Sequence, residues 1–461
     1  MTVVLSAALY TLGTGRVWDS TTWFPWAQSD PSLSSHPSFQ PPLLSTEGFS
    51  PSPSPMPLAC VTWEQPQYVA AGVTGGVVLT TGLAVAMGWM LLAAQQPLHF
   101  LRALLAGYVC LVLTAFLVTV LATGFSLPTL LILLCIPLYF WWWRLLWQRA
   151  EFSAVVLKRA CATVQDHKTV GGMALSMVLI SALYKVVWVC ALNVATQQWH
   201  VYPLVFCLLW AELVFRNIAH TTVCGVAATD FFVPEGVPNP VWGAFCRTCT
   251  YSLGSICFGS VILAVVQFVR VIANSLKNEA ARKKNPVLML IACCIEFFLS
   301  CVEAMIEYFN RYAFVQVAMY GKGFIQAAKD TWSLVKTAGV DAVINDLIIS
   351  KATGMCTFLS AVFIGLMTGL VSFGVAHGNW WTACDEHDLL VASLIYASIA
   401  GLVAFIITAL IHGLVFGILD SAVVAFFVCF VEEPEVLALK HPELSAQINA
   451  YIAGPSQSDS V

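Results

Sequence analysis

Charge is what this chain has least of. Lys, Arg, Asp and Glu together make up 10% of its 461 residues, against about 25% in an ordinary soluble domain. Hydrophobic residues make up 59% and the mean hydropathy is +0.81, so a soluble fold of this size would lack the polar surface to stay in solution. The net charge of −4 is spread thinly and forms no basic patch, so a nucleic-acid partner is not indicated. A Walker loop, a GxSxG elbow, an HExxH pair and EF-hand spacing are all absent, which argues against ATP-driven pumping and hydrolase chemistry. No cofactor is expected. His167, His200, His220, His377, His387 and His412 are scattered along the chain, so no catalytic cluster at one depth is legible and the chain does not read as an enzyme. Cysteine is not scarce, but Cys110, Cys135, Cys190, Cys293, Cys294 and Cys429 sit inside apolar runs as small hydrophobes. Cys246-Arg-Thr-Cys249 has CxxC spacing without a second pair or a histidine at zinc-site spacing, and no metal is expected there.

What is present is long apolar sequence. Nine runs of crossing length occupy roughly 68–95, 98–123, 127–148, 169–196, 201–226, 252–274, 286–309, 347–376 and 388–411. They predict an all-α polytopic membrane protein, a bundle of about nine transmembrane helices over 67–431. Residues 1–66, with Pro and Ser crowded into 31–57, read as a disordered tail. The first residues carry no positive charge before Arg16 and make a poor signal peptide. Residues 432–461 form a C-terminal tail. Between the third and fourth runs, Phe152, Val155, Val156 and Leu157 alternate with Lys158, Arg159 and Lys168, the pattern of an interfacial amphipathic helix. After the ninth run the chain stays apolar to Val431, and a straight helix over all of it would be about 66 Å long, twice the membrane. A kink near His412 and Gly413, with the rest along the inner surface, is the expectation; a tenth crossing is the rival.

Short cytoplasmic loops carry the excess of Lys and Arg. Placing the C-terminus inside puts ten there (Arg149, Lys158, Arg159, Lys168, Arg247, Arg311, Lys322, Lys329, Lys336 and Lys440) against five outside (Arg16, Lys277, Arg282, Lys283 and Lys284). The outer loop 274–285 runs against the rule.

The segment 310–333, NRYAFVQVAMYGKGFIQAAKDTWS, turns polar without leaving the membrane region. About 12 residues between Arg311 and Lys322 are too few to cross a core that takes about 20, which suggests a bent or re-entrant element; an ordinary inner loop followed by a surface helix is the alternative. With GVDAVINDLI at 339–348 and SLGSICFGS at 252–260, it resembles the choline transporter-like family, in particular its fungal-type "pH-nine-sensitive" branch, on the motif residues Asn310, Arg311, Tyr312, Gly321, Lys329 and Asp330. The resemblance runs from about Arg149 to the Glu-Glu-Pro-Glu at 432–435. It implies ten crossings with both ends inside, a plasma-membrane location, and transport of choline or a related organic cation. A first helix of that pattern is not convincing here, which a truncated gene model or a lineage that lost it would each explain.

Ionisable groups in mid-membrane are functional candidates by default. Lys185 and Glu212 lie equally far from the loop 197–200 that joins their spans, so an antiparallel hairpin sets them at one depth, about 20 Å from the turn. They suit an ion pair, with Arg216, one turn beyond Glu212, as the alternative partner. Glu296 lies about 15 Å into its span with Glu303 on the same face. Arg311 or Lys322 could pair with Glu303, whereas Glu296 has no depth-matched cation. A quaternary ammonium ion offers no hydrogen-bond donor and relies on π faces and negative charge, so Tyr184, Trp188 and Trp210 are candidate cage residues beside Glu212 or Glu296. Helix packing is the plain alternative for all three. Trp141, Trp142 and Trp143 read as an interfacial belt. Gly365-x-x-x-Gly369, Gly413-x-x-x-Gly417 and Ser255-x-x-x-Gly259 allow close helix approach. Together these features point to a facilitated or ion-coupled transporter of a small cation in the lipid bilayer, with a scaffold or sensor lacking any aqueous path as the competing class. Oligomeric state is not legible.

Overall fold

The computed structural model describes residues 65–440, apart from 125–126, 195–197, 234–236, 284–285 and 380–385, together with 442, 445 and 446. The expected N-terminal tail lies outside the described residues except for its last two, and most of the C-terminal tail lies outside them too. The described chain is helical: α1 (Gln65–Gln95), α2 (Pro97–Thr123), α3 (Leu127–Asp166), α4 (Thr169–Val194), α5 (Gln198–Phe232), α6 (Pro240–Thr250), α7 (Leu253–Arg282), α8 (Pro286–Tyr320), α9 (Phe324–Asn379), α10 (Glu386–Glu432) and α11 (Pro434–Lys440). Eight stretches are long and apolar enough to cross a membrane, one in each of α1, α2, α4, α5, α7, α8, α9 and α10. The chain is an all-α polytopic membrane protein. In hydrocarbon a helix satisfies every backbone group internally, which is why these runs take no other form. The expected third span falls on α3, where the side chains of 127–135 lie outside the described residues.

Helix ends follow local chemistry. Proline opens α2, α6, α8 and α11, where its missing N–H costs nothing. Gly124 (φ 66°) closes α2 and Gly321 (φ 65°) closes α8 in the left-handed region that glycine enters without penalty, their N–H groups donating to Val120 and Val317.

The largest buried cluster lies at one end of the bundle. It takes in the C-terminal parts of α1, α3, α5, α8 and α10, the N-terminal parts of α2 and α4, and the middle of α9. From α1 to α5, therefore, successive helices run in alternating directions. Away from that end the helices expose large apolar side chains such as Leu117, Leu183, Phe297 and Leu370, as lipid-facing surfaces do.

Three expectations change. Residues 151–166 do not form a separate interfacial helix: α3 runs unbroken for 40 residues, and Ser153, Val156, Leu157 and Ala160 are buried. Phe152 packs edge-on against Phe427, ring centroids 6.4 Å apart. The face that looked ready for lipid is covered by α10. Nor is α10 interrupted near His412 and Gly413 to lie along a surface. It is one helix of 47 residues, about 70 Å, and every residue from Ser421 to Cys429 is buried. Finally, 311–320 is not a separate re-entrant element, because α8 continues through the Asn-Arg-Tyr trio and breaks only at Gly321-Lys322-Gly323.

Small residues matter at two of the three expected places. A Cβ on Gly365 would lie 3.0 Å from the Gly401 carbonyl oxygen, and one on Gly369 would lie 3.2 Å from that of Ala397, so α9 and α10 touch backbone to backbone. A Cβ on Gly259 would overlap the Phe324 ring and come within 2.8 Å of Phe314. A Cβ on Gly413 or Gly417 would meet nothing within 4 Å, so neither mediates a close helix approach among the described residues.

Candidate functional site

On the α4–α5 seam, Lys185 Nζ lies 2.8 Å from Glu212 Oε1. Ser181 bridges them, accepting from Lys185 at 2.9 Å and donating to Glu212 at 2.7 Å. Arg216, the alternative partner, instead reaches Glu307 on α8 at 2.9 Å. If the Lys185 pair is energetically coupled, Lys185→Met and Glu212→Leu together should leave the protein more stable in detergent than either change alone, since breaking a buried pair strands a charge. Their side chains keep 32% and 30% exposure, so each single cost should fall below the roughly 3–5 kcal/mol of a fully buried pair. Simple additivity of the thermal midpoints in that cycle would refute the coupling.

The three aromatic candidates do not enclose one volume. Tyr184 donates to the Cys207 carbonyl at 3.2 Å and Trp188 to that of Leu204 at 2.7 Å, both on α5. Trp210 faces the other way and donates to the Cys257 carbonyl on α7 at 3.1 Å. As amphipathic rings with satisfied polar ends, they lock two different seams.

Between α7 and α8 the geometry corrects two expectations. Glu296 is not without a cation, because Lys277 reaches it at 2.6 Å. Glu303 pairs with neither Arg311 nor Lys322 but with Arg270 at 2.5 Å, and it also accepts from Gln267 at 3.0 Å. Lys277 had counted as an outer-loop exception to the charge rule; α7 extends to Arg282, so this lysine is on the helix and held by a carboxylate.

The column continues towards the packed end. Arg311 lies 2.5 Å from Asp420 on α10. Buried His220 sits beside the pair, Nε2 3.0 Å from the Arg311 carbonyl and Nδ1 2.8 Å from Ser421 Oγ. A carbonyl only accepts, so Nε2 carries a proton, while the Ser421 hydroxyl donates to the Gly417 carbonyl at 2.7 Å. Asn310 donates to the Gly259 carbonyl and Asn217 to Ser260, tying α8 and α5 to α7. Tyr312, 2% exposed, packs against Tyr308 with the rings tilted by 43° and their centroids 4.9 Å apart. On α3, Arg159 and Thr163 hold Asp230 of α5.

At the end of α8, Glu432 accepts from Gln316 and, at 2.7 Å, from the Tyr320 hydroxyl. Beyond the glycine break, Lys322 pairs with Asp330 at 2.7 Å, and its Nζ lies 4.3 Å from the centroid of the Tyr320 ring. The Lys322 hydrogen bond holds the Asp330 carboxyl below its ordinary value. Lys329 points outward and is exposed. Cys246 and Cys249 are free thiols, and no cluster suited to a metal occurs among the described residues.

Sequence reasoning missed Asp420, although the signal that picked out Glu296 applies to it: Asp420 is the one charged residue in the apolar run 413–431. His220, Gln316 and Glu432 carried no comparable signal, because their importance lies in partners on α8 and α10 far away in sequence.

Comparison with known proteins bears on the same segments. A protein PNS1 of Mycosarcoma maydis is 38% identical over 253 residues, covering 53% of this chain and 45% of that protein. A protein PNS1 of Gibberella zeae is 32% identical over 240 residues, covering 52% and 43%. A CTL-like protein of Dictyostelium discoideum is 29% identical over 309 residues, covering 64% and 51%. The chain spans about half the length of these curated relatives. The family described as plasma-membrane choline transporter matches residues 129–435, a stretch that takes in the ion-pair column and the Gly-Lys-Gly break alike, and the chain belongs to that choline transporter-like family, on the side of its fungal PNS1 proteins.

Proposed function

We propose that this chain is a transmembrane transporter of choline or a related organic cation, facilitated or ion-coupled rather than ATP-driven, and that it acts in transport and not in catalysis at the plasma membrane. The observation that carries the reading is the column of charge. Glu296, Glu303, Glu307 and Arg311 lie along one face of α8 over about 22 Å. Each is met by an opposite charge from α5, α7 or α10, and each keeps part of its side chain open, from 14% for Glu303 to 39% for Glu307. Charge at such depth avoids hydrocarbon and faces protein or water. The open sides therefore support a wetted surface among α5, α7 and α8.

A cation crossing there needs carboxylates that can exchange partners. We assign that role to Glu296 and Glu212, each of which now holds a lysine that the substrate would displace. Tyr184, Trp188 and Trp210 enter as separate π faces and not as one cage.

The test is uptake of labelled choline into proteoliposomes containing the purified protein alone. Saturable uptake is expected under at least one substrate, proton or sodium gradient. Glu296→Gln and Glu212→Gln should each lower it roughly tenfold, the loss of about one charge-assisted contact of ~1.4 kcal/mol. Absence of saturable uptake under every gradient would remove the substrate assignment. The scaffold reading is favoured by one observation, that each of these carboxylates is already paired. Water-soluble thiol reagents reaching cysteines placed along α8 beside Glu296 and Glu303 would exclude it.

The same proposal places the C-terminus in the cytoplasm. Cysteines introduced at Ser333 and Lys440 should be protected from an impermeant thiol reagent in intact cells, whereas one at Asp388 should react. Labelling at Ser333 without permeabilisation would invert the topology.

A further inference from the structure

We infer that Tyr320, Glu432 and Gln316 form a binding site for an organic ammonium ion at the C-terminal end of α8, and that Lys322 occupies it as a built-in surrogate. The transport reading supplies the natural ligand, but the site's geometry stands without it.

Residues two apart on a helix do not face each other. Lys322 nevertheless sets its ammonium over the ring of Tyr320, 4.3 Å from the centroid. It can do so because Gly321, at φ 65°, ends α8 and turns the chain back over its own last residue. The arrangement is that of a cation on an aromatic face.

The ring is fixed by its hydroxyl, which donates to Glu432 Oε2 at 2.7 Å. The other oxygen of that carboxylate accepts from Gln316 Nε2. Gln316 is 0% exposed, and its Oε1 has no hydrogen-bond partner. A fully buried amide oxygen left in this state costs free energy unless a donor or a cation meets it. The end of α8 thus gathers a π face, the Glu432 carboxylate and an unfilled acceptor, while its one resident ammonium is shared with Asp330.

A primary ammonium loses hydration on a ring face, since its three N–H groups want acceptors. A quaternary ammonium has none to lose and suits the face better. Tyr320 is 45% exposed, so the site is open at that end of the bundle. An organic cation leaving or entering there would replace Lys322 on the ring, and the freed lysine would remain with Asp330.

The experiment is equilibrium binding of labelled tetramethylammonium to the purified full-length protein in detergent, with thermal midpoints measured in parallel to verify folding. Lys322→Ala should raise affinity roughly three- to tenfold. Adding Tyr320→Leu should abolish the gain, whereas Tyr320→Phe should preserve most of it. Lys158→Ala removes the same charge from an exposed position on α3 and should leave affinity unchanged. Lys322→Gln serves if the alanine variant is poorly folded. An unchanged affinity in both Lys322 variants, a gain that survives Tyr320→Leu, or an equal gain from Lys158→Ala would each overturn the site. A protein that shows the Tyr320-dependent gain but no uptake keeps the site and loses the transport reading. One that takes up choline without the gain does the reverse.

Discussion

Arg311→Met should lower the thermal midpoint in detergent more than removal of any other single charge in the bundle. Arg311 holds one oxygen of Asp420 at 2.5 Å, while the other, Oδ1, is buried without a hydrogen-bond partner. Its carbonyl also receives the buried His220 ring. Without the guanidinium, Asp420 is an uncompensated carboxylate between α8 and α10, flanked by the buried run from Ser421 to Cys429. Breaking such a pair costs roughly 3–5 kcal/mol when both groups are buried. Here 23% and 27% of the two side chains stay open, so about 3 kcal/mol is the expectation, a shift of several degrees. Asp420→Leu added to Arg311→Met should recover most of the loss, because an apolar pair of similar volume strands nothing. A double variant no better than the arginine change alone would mean that Arg311 stabilises through its other contacts and not through Asp420.

That pair also marks the limit of what the sequence discloses. Lys185 and Glu212 could be matched because one short loop joins their helices, and equal distance from a turn is equal depth. Glu296 looked unpaired because the same rule was applied to a loop at 274–285, whereas α7 runs on to Arg282 and carries Lys277 with it. Arg216 found its partner on α8, three elements away, where counting residues from a turn says nothing, whereas Glu303 found Arg270 on the neighbouring α7, a cation inside an apolar span that sequence reasoning missed. The buried end of α10 was misjudged for another reason. A run that is apolar on every side reads the same whether lipid or protein surrounds it, and only the aromatic contacts of Phe426 and Phe427 with α3, α5 and α8 reveal which. Conversely, the Gly-Lys-Gly break was legible down to the residue, since glycine is what a left-handed helix end requires.

Small-residue spacing is the case where sequence and structure part most sharply, and it yields the other large expected effect. Gly365-x-x-x-Gly369 and Gly413-x-x-x-Gly417 look alike, yet only the first sits where α9 and α10 meet. The residue it meets, Gly401, ends the spacing Ala397-x-x-x-Gly401, which the sequence reading passed over. A Cβ on Gly401 would lie 2.9 Å from the Gly365 carbonyl oxygen and 3.5 Å from the Gly369 Cα. Both obstacles are backbone and cannot swing aside, so the helices must separate along their shared length. Gly401→Ala should therefore cost at or above the upper end of the roughly 1–3 kcal/mol typical of overpacking, read as a lower thermal midpoint and a smaller monodisperse fraction on size exclusion. Gly413→Ala meets no heavy atom within 4 Å. It should be neutral or gain up to about 1 kcal/mol, because alanine is the better helix residue. If Gly401→Ala proves as harmless as Gly413→Ala, α9 and α10 do not pack backbone to backbone in the membrane, and the end of α10 that carries Asp420 is held by the surrounding helices alone.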